Sequence, residues 1–376
     1  MMRTFFISID DFSVIGHAKD TLKSLYEGNK NPIILVTQAQ SKKFKSTIPK
    51  SCKLIECLPD VNGALEIPSP ILGERIAKVL LENKIGSKDL IVLKMPFPHF
   101  LLSVVCAISL SEISSNLPRI SVLMSQTDYG FQGHTTLYTD VFSIIDNLPK
   151  KKSSRFVFLH EREILRQFWQ KQFPALKTGL CGYVTEWIKQ IGPKAATDQY
   201  NLMYIGEARE DKGFELLSAM IKTKILRNKN IKVHCDSNPV HANSVSNKKA
   251  IKRLKSDAKN NPRVKLINQR KNNNYSEAFT SENVALLLYS KEYQYRGSGI
   301  IQECVAAGMY IIAFDDLNFQ LDYPNNVITV KRSKNLRNIT REVLKAIDEI
   351  EANKGKSPRP IVFKASDFRK QLSRFH

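Results

Sequence analysis

The sequence predicts an α/β protein made of two doubly wound domains, and three features carry that prediction. Short apolar runs of strand length alternate with stretches of helical spacing through both halves, the pattern of parallel sheets covered by helices. The alternation lapses once, from Pro174 to Thr197, where Gly179, Gly182, Gly192 and Pro193 break every period and an interdomain linker is expected. At 376 residues the chain is also too long for one ordinary core and suits two domains of roughly 150 to 200 residues.

In the first half, Arg3 to Ile9 reads as the first strand. The loop from Asp10 to His17, with Gly16, leaves its C-terminal edge and leads into a helix near His17 to Tyr26. Pro32 to Thr37 and Lys53 to Leu58 are the next strands, Pro70 to Glu82 has helical spacing, and Asp89 to Leu93 is the fourth strand. Lys94-Met-Pro-Phe-Pro-His99 then enters an apolar helix, and Ile120 to Met124 makes a fifth strand. Its exit, Ser125 to His134, gathers polar and aromatic side chains with two glycines and reads as a site loop. Helix is expected over Phe131 to Asn147 and a sixth strand at Arg155 to Leu159.

The second half resumes with strands at Leu202 to Ile205, Ile231 to Cys235 and Val264 to Ile267, around helices at Gly213 to Lys222 and Lys248 to Ala258. Its centre is Tyr295 to Ile312, which follows the buried-strand run Val284 to Tyr289. Gly297 and Gly299 free the backbone to turn, Ser298 is placed to cap a helix over Gly299 to Ala307, Gly308 ends it, and Tyr310 to Phe314 is the next strand. This is one βαβ step, whose helix start presents unpaired amides and a positive end to phosphate. Asn274 to Thr280 and Val327 to Val330 complete the sheet, followed by helices at Leu336 to Ile350 and Ser366 to Phe375.

Charge constrains the partners. With 57 Lys+Arg against 36 Asp+Glu the net charge is +21, which favours an anion: nucleotide, nucleic acid, phospholipid surface or acidic glycan. Local basic clusters stand at Lys150 to Lys152, Lys248 to Lys255 and Lys331 to Lys334; they predict peripheral contact with an anionic membrane, or are charge kept for solubility. Nucleic acid ranks last, because neither zinc-finger spacing nor an RNA-binding aromatic signature is present. No apolar run has membrane-spanning length, the nearest, Phe97 to Leu110, being broken by Pro98, His99 and Ser103. The six cysteines form no Cys-x-x-Cys pair and are expected to be reduced, structural thiols in a cytoplasm. No metal or other cofactor is expected, since Asp10-Asp11 and Asp315-Asp316 are adjacent rather than spaced as Asp-x-Asp.

Two motifs carry chemistry. Tyr204-Ile-Gly-Glu-Ala-Arg-Glu-Asp-Lys-Gly213 is a strand ending in Gly206, a charged loop, and a helix start, with Arg209 and Lys212 placed to grip phosphoryl oxygens or simply to be solvated. Glu303, near the start of the central helix, is placed to accept from sugar or ribose hydroxyls, or is a solvated Glu. Taken together they resemble the GT-B glycosyltransferases, particularly retaining glycosyltransferase family 4. That family carries Gly-Arg-x-x-x-x-Lys-Gly, matched here by Gly206, Lys212 and Gly213, with Glu207 at the Arg position and Arg209 nearby. It also carries two Glu separated by seven residues; Glu303 with Ala306, Ala307 and Gly308 matches the second, while Tyr295 stands at the first.

The resemblance implies two Rossmann-like domains facing across a cleft: 1–182 on the acceptor side, 198–355 binding the nucleotide-sugar, and 356–376 packing back on the first. It implies a cytoplasmic, metal-independent hexosyltransferase that moves a sugar from a UDP-sugar such as UDP-glucose to a growing polysaccharide or lipid-linked glycan. Gly16, Gly206, Tyr295, Arg296, Gly297, Ser298, Gly299 and Glu303 would hold the donor, with Glu303 on the ribose. Arg209 and Lys212 would stabilise the leaving diphosphate, and Asp128 or His134 would orient the acceptor. Lys94, His99 and Gln126 sit at comparable strand exits, His99 alternatively being packed against its apolar helix.

Overall fold

The structure, a computed structural model, describes residues 3–7, 32–44, 48–94, 96–110, 113, 115–131, 134–182, 184–186, 188, 200–226, 228–235, 245–268, 275–352 and 358–374. Gly16, the Asp10-Asp11 pair and the helix expected at His17 to Tyr26 lie outside these residues. The chain divides into two compact units, Met1–Val184 with Lys364–His376, and Thr185–Phe363.

The first unit is built on an all-parallel sheet of β1 (Thr4–Ile7), β2 (Ile33–Thr37), β3 (Lys53–Leu58), β4 (Leu90–Lys94), β5 (Arg119–Met124), β6 (Phe156–His160) and β7 (Lys177–Leu180). Their order is β3-β2-β1-β4-β5-β6-β7, so the winding reverses between β1 and β4. Phe5 is in register with both Ile33 and Ile91. β1, β2, β4 and β6 are buried along their whole length, which explains their continuous Val, Ile, Leu and Phe runs. Helix Ala365–Arg374 groups with this unit and buries Phe368 and Leu372.

Two expectations for this half are revised. The division between the units, after Val184, falls within the stretch expected as a linker, but that stretch also contains β7, an edge strand paired to β6 whose Lys177-Thr-Gly-Leu sequence has no apolar run, because only Gly179 is buried. Before it, helix Glu163–Gln172 anchors Leu165 and Trp169 in the core. The helix expected from Phe131 begins instead at Tyr138. Asp140 accepts from the Leu137 amide at 2.9 Å, and Asp128 accepts from the amides of Tyr138 and Thr139. Side-chain carboxylates thus satisfy the helix's first donors and define its start.

His160, at the end of β6, is fully buried, and among the described residues neither ring nitrogen has a hydrogen-bond partner. Burial, then the positive charge of Arg166, hold its pKa down at about 3 against an ordinary 6.5, with Glu163 opposing. The unfolded chain takes up this proton below about 6.5 and the folded chain does not, so this contribution is complete above that pH and declines toward about 3. Moving from about pH 7 to about pH 4.5 should therefore remove about 2 to 3 kcal/mol through His160. Urea midpoints of the wild type and His160→Leu at the two pH values check this; parallel acid losses in the two proteins would exclude the histidine as the cause.

The second unit carries β8 (Asn201–Gly206), β9 (Asn230–Cys235), β10 (Val264–Asn268), β11 (Asn283–Leu287), β12 (Tyr310–Phe314) and β13 (Val327–Val330), all parallel, in the order β10-β9-β8-β11-β12-β13. Here the winding reverses between β8 and β11, and a ligand crevice forms outside the carboxyl ends of strands at such a reversal. Helix Leu336–Ala352 buries Ile339, Val343, Ala346, Ile347 and Ile350, an amphipathic stripe of helical period against the core. The segment expected to extend the sheet at Asn274 to Thr280 is instead the 3-10 turn Ser276–Ala278. There the Asn283 side chain donates to the Ala278 carbonyl at 2.8 Å, so the peptide group that would join a ladder closes a turn leading into β11.

Candidate functional site

The reversal between β8 and β11 brings two loops together at one edge of the second sheet. The loop after β8 holds Glu207 to Gly213, and the loop after β11 holds Leu288 to Ser298, followed by helix Gly299–Ala306. They are joined by a hydrogen bond from the Ser290 amide to the Asp211 carbonyl at 2.8 Å. Gly213 makes the contact possible: at φ 71° it is in the left-handed region, and a Cβ there would lie 2.2 Å from the Leu288 carbonyl oxygen.

Gly206 ends β8 at φ 128°. A Cβ on it would meet Ile300 Cδ1 at 3.1 Å and the Cδ and Nζ atoms of Lys212 at 3.6 Å. The Lys212 amine and the first turn of helix Gly299–Ala306 therefore converge over one point at the end of the strand. The amides at the start of that helix have no intrahelical acceptor and bear the positive end of its dipole. Among the described residues, the Lys212 amine forms no hydrogen bond or ion pair. Its pKa is lowered, chiefly by burial and then by Arg209, while Glu207 and Asp211 oppose the shift. An amine and a helix start sharing one desolvated corner form an anion-binding arrangement.

Arg209 is held differently. Its guanidinium forms a fork on Asp211, with Nε 2.9 Å from Oδ1 and Nη2 on Oδ2, and it reaches Glu207 at 3.4 Å. Burial works against its charge, but the Asp211 and Glu207 carboxylates outweigh that and raise its pKa. Arg296 lies 3.8 Å from the same Asp211 carboxylate and 5.0 Å over the Tyr293 ring. The Tyr293 hydroxyl is 3.5 Å from Asp211, and burial, the first cause, pushes it up to about 12.

Glu303 is fully buried, which excludes the solvated alternative, and it accepts a 2.5 Å hydrogen bond from the Tyr275 hydroxyl. Burial and then Glu303 raise the Tyr275 pKa far above its usual value, so the tyrosine is the donor. Ser298 occupies the N-cap position, but its side chain makes no cap bond. Its hydroxyl lies 3.4 Å from that of Tyr289, whose ring packs 4.3 Å from Tyr293. Gly297 and Gly299 are outside the left-handed region, which Gly206, Gly213 and Gly308 occupy instead. Tyr295 ends the 3-10 turn Lys291–Tyr295 and is half-buried.

The second unit thus gathers Gly206, Arg209, Lys212, Tyr295, Arg296, Gly297, Ser298, Gly299 and Glu303 at one sheet edge. Asp211, Tyr275, Tyr289 and Tyr293 join them without having been singled out from the sequence. Asp211 lay inside the charged loop but had no distinguishing spacing, and Tyr275 is 28 residues from its partner. In the first unit, Asp128 is committed to the start of helix Tyr138–Asp146, and His134 is exposed. His99 donates from Nε2 to the Ile67 carbonyl at 2.8 Å and lies against Ser69, the packed alternative. Lys94 is buried and Gln126 half-buried. Among the described residues, no group of three or more His, Cys, Asp or Glu is gathered to hold a metal ion, all six cysteines are free, and no helix is long and apolar enough to cross a membrane.

No protein-family profile matches the sequence, and no curated protein is detectably similar to it. Solved structures are similar over the full length. Sucrose-phosphate synthase from Thermosynechococcus elongatus has a TM-score of 0.64 at 12% identity, covering 100% of this chain and 95% of that one. The catalytic domain of starch synthase IV from Arabidopsis thaliana, bound to ADP and acarbose, has a TM-score of 0.61 at 10% identity, covering 100% and 99%. UDP-GlcNAc 2-epimerase from Methanocaldococcus jannaschii has a TM-score of 0.58 at 14% identity, covering 100% of both chains. The chain has the GT-B fold.

Proposed function

We propose that the protein is a glycosyltransferase of the retaining family 4 kind, taking a nucleotide-diphosphate sugar, UDP-linked, and transferring the sugar to a polysaccharide or lipid-linked glycan. The observation that carries this reading is the convergence of the Lys212 amine and the start of helix Gly299–Ala306 over Gly206, at the reversal point of the second sheet. A diphosphate seated there meets a cation and oriented amides in a desolvated corner, where both strengthen as charge builds on the leaving group. Their stabilisation replaces a metal, and the leaving phosphate draws the acceptor proton in a front-face displacement. Arg209, steadied by Asp211, borders the same anion. His134 is assigned to orienting the acceptor, since the Asp128 carboxylate serves a helix start.

Glu303 is assigned to the donor ribose, the nucleotide replacing the bond from Tyr275. Glu303→Ala should weaken UDP binding by about 1 to 3 kcal/mol, the scale of a hydrogen bond to a charged group. Calorimetry measures it, with Glu303→Gln as the folded control; equal affinity in all three proteins would remove the ribose assignment.

The basic clusters fit an acceptor at an anionic membrane on the cytoplasmic side. Sugar release and transfer assayed over a panel of nucleotide-sugars, with and without EDTA, test the whole reading. A second reading, a non-catalytic nucleotide or glycan binder, is favoured by Arg209 being tied to Asp211 and by Tyr295 at the first Glu position. Tight UDP binding with no turnover of any donor would select it.

A further inference from the structure

On the same carboxyl edge of the second sheet, the exits of β11, β12 and β13 enclose an open pocket of about 480 Å³. Lys291, Asp315, Asp316, Lys331, Arg332 and Lys334 line it. Arg332 is its fixed element. The guanidinium lies 4.0 Å over the Phe314 ring, with Nε 2.7 Å from Asp316 Oδ2 and Nη2 2.9 Å from both Asp316 Oδ1 and the Tyr289 carbonyl. Its Nη1 donors have no partner among the described residues. Asp316 is neutralised by Arg332, and Asp315 accepts from the Asp316 amide at 2.9 Å. Lys291, Lys331 and Lys334 are exposed and form no ion pair or side-chain hydrogen bond among the described residues. The lining therefore carries unbalanced positive charge around a guanidinium whose orientation is already set, so binding costs it little ordering entropy.

We propose that this pocket binds a phosphate-type anion, a phosphomonoester or diphosphate group, on Arg332 Nη1 with the three lysine ammonium groups around it. The space exceeds a single phosphate and admits the carrier to which it is attached. Two carriers share this chemistry, a phosphorylated sugar in solution and the headgroup of an anionic lipid. The site stands whether or not the second unit binds a nucleotide-sugar, because none of its lining residues belongs to the corner over Gly206.

Residue-resolved lysine acylation read by mass spectrometry tests it, with inorganic pyrophosphate against chloride at equal ionic strength. Pyrophosphate should slow labelling of Lys331 and Lys334 by at least about threefold, as saturable binding requires, while exposed Lys78 is unchanged. Protection of Lys331 and Lys334 no greater than that of Lys78 overturns the proposal. Protection confined to Lys212 likewise overturns it while supporting the donor corner, so the two readings fail separately. Sedimentation with phosphatidic acid and phosphatidylcholine vesicles then distinguishes the carriers. Phosphatidic acid binding that Lys331→Glu with Lys334→Glu abolishes supports the site with a lipid headgroup as carrier. Indifference to vesicles with intact pyrophosphate protection supports it with a soluble phosphate.

Discussion

Replacing Lys212 by alanine should lower kcat/KM for sugar transfer by at least about tenfold, roughly 1.4 kcal/mol of transition-state stabilisation. The amine sits in a half-buried corner beside a helix start, where a positive charge acts on a leaving diphosphate more strongly than in open water. Arg209→Ala should cost less, because Asp211 and Glu207 already offset much of the Arg209 charge. The lowered pKa of Lys212 adds a signature: its ammonium is lost at lower pH than an ordinary lysine's, so the alkaline limb of kcat/KM should fall early. Lys212→Arg should move that limb to higher pH, since a guanidinium stays charged. Steady-state kinetics across pH with a competent donor decide the matter. Wild-type rates in Lys212→Ala would mean that the match to the family motif is accidental.

Gly213→Ala should destabilise the protein by about 3 kcal/mol or more, among the larger effects expected of a single methyl group. The added Cβ would sit 2.2 Å from a backbone carbonyl oxygen, that of Leu288, and the residue is held at φ 71°. Neither burden is relieved by turning a side chain, so the two strand-exit loops must separate. Gly206→Ala offers the contrast. Its Cβ meets the side-chain tip of Ile300 at 3.1 Å rather than backbone, so its steric share of the cost is smaller and falls on Lys212's surroundings, leaving the strain of an L residue at φ 128° as its main burden. Urea melts of both variants measure the difference. An unchanged midpoint for Gly213→Ala would mean that the contact with Leu288 does not hold the loops.

The elements differ in how readily their sequences disclose them. Strands buried on both faces, such as β2, β11 and β12, carry uninterrupted apolar runs and are recognisable to within two residues. β7 is not, because an edge strand buries too little side-chain surface to need an apolar run. The helix expected from Phe131 shows a further gap: periodicity says that a helix exists, but the capping contacts from Asp128 and Asp140 decide where it starts.

The sequence by itself determined the α/β class, most of the strands, and the glycine, lysine and glutamate of two motifs, because apolar periodicity and backbone turns are local properties. The tertiary structure alone decided that β8 lies beside β11. From that neighbourhood follow Lys212 at the start of a helix far along the chain, Asp211 holding Arg209 beside Tyr293, and Tyr275 bonded to a buried Glu303. Strand order depends on which helices and strands pack together across the whole unit, and spacing along the chain does not encode it.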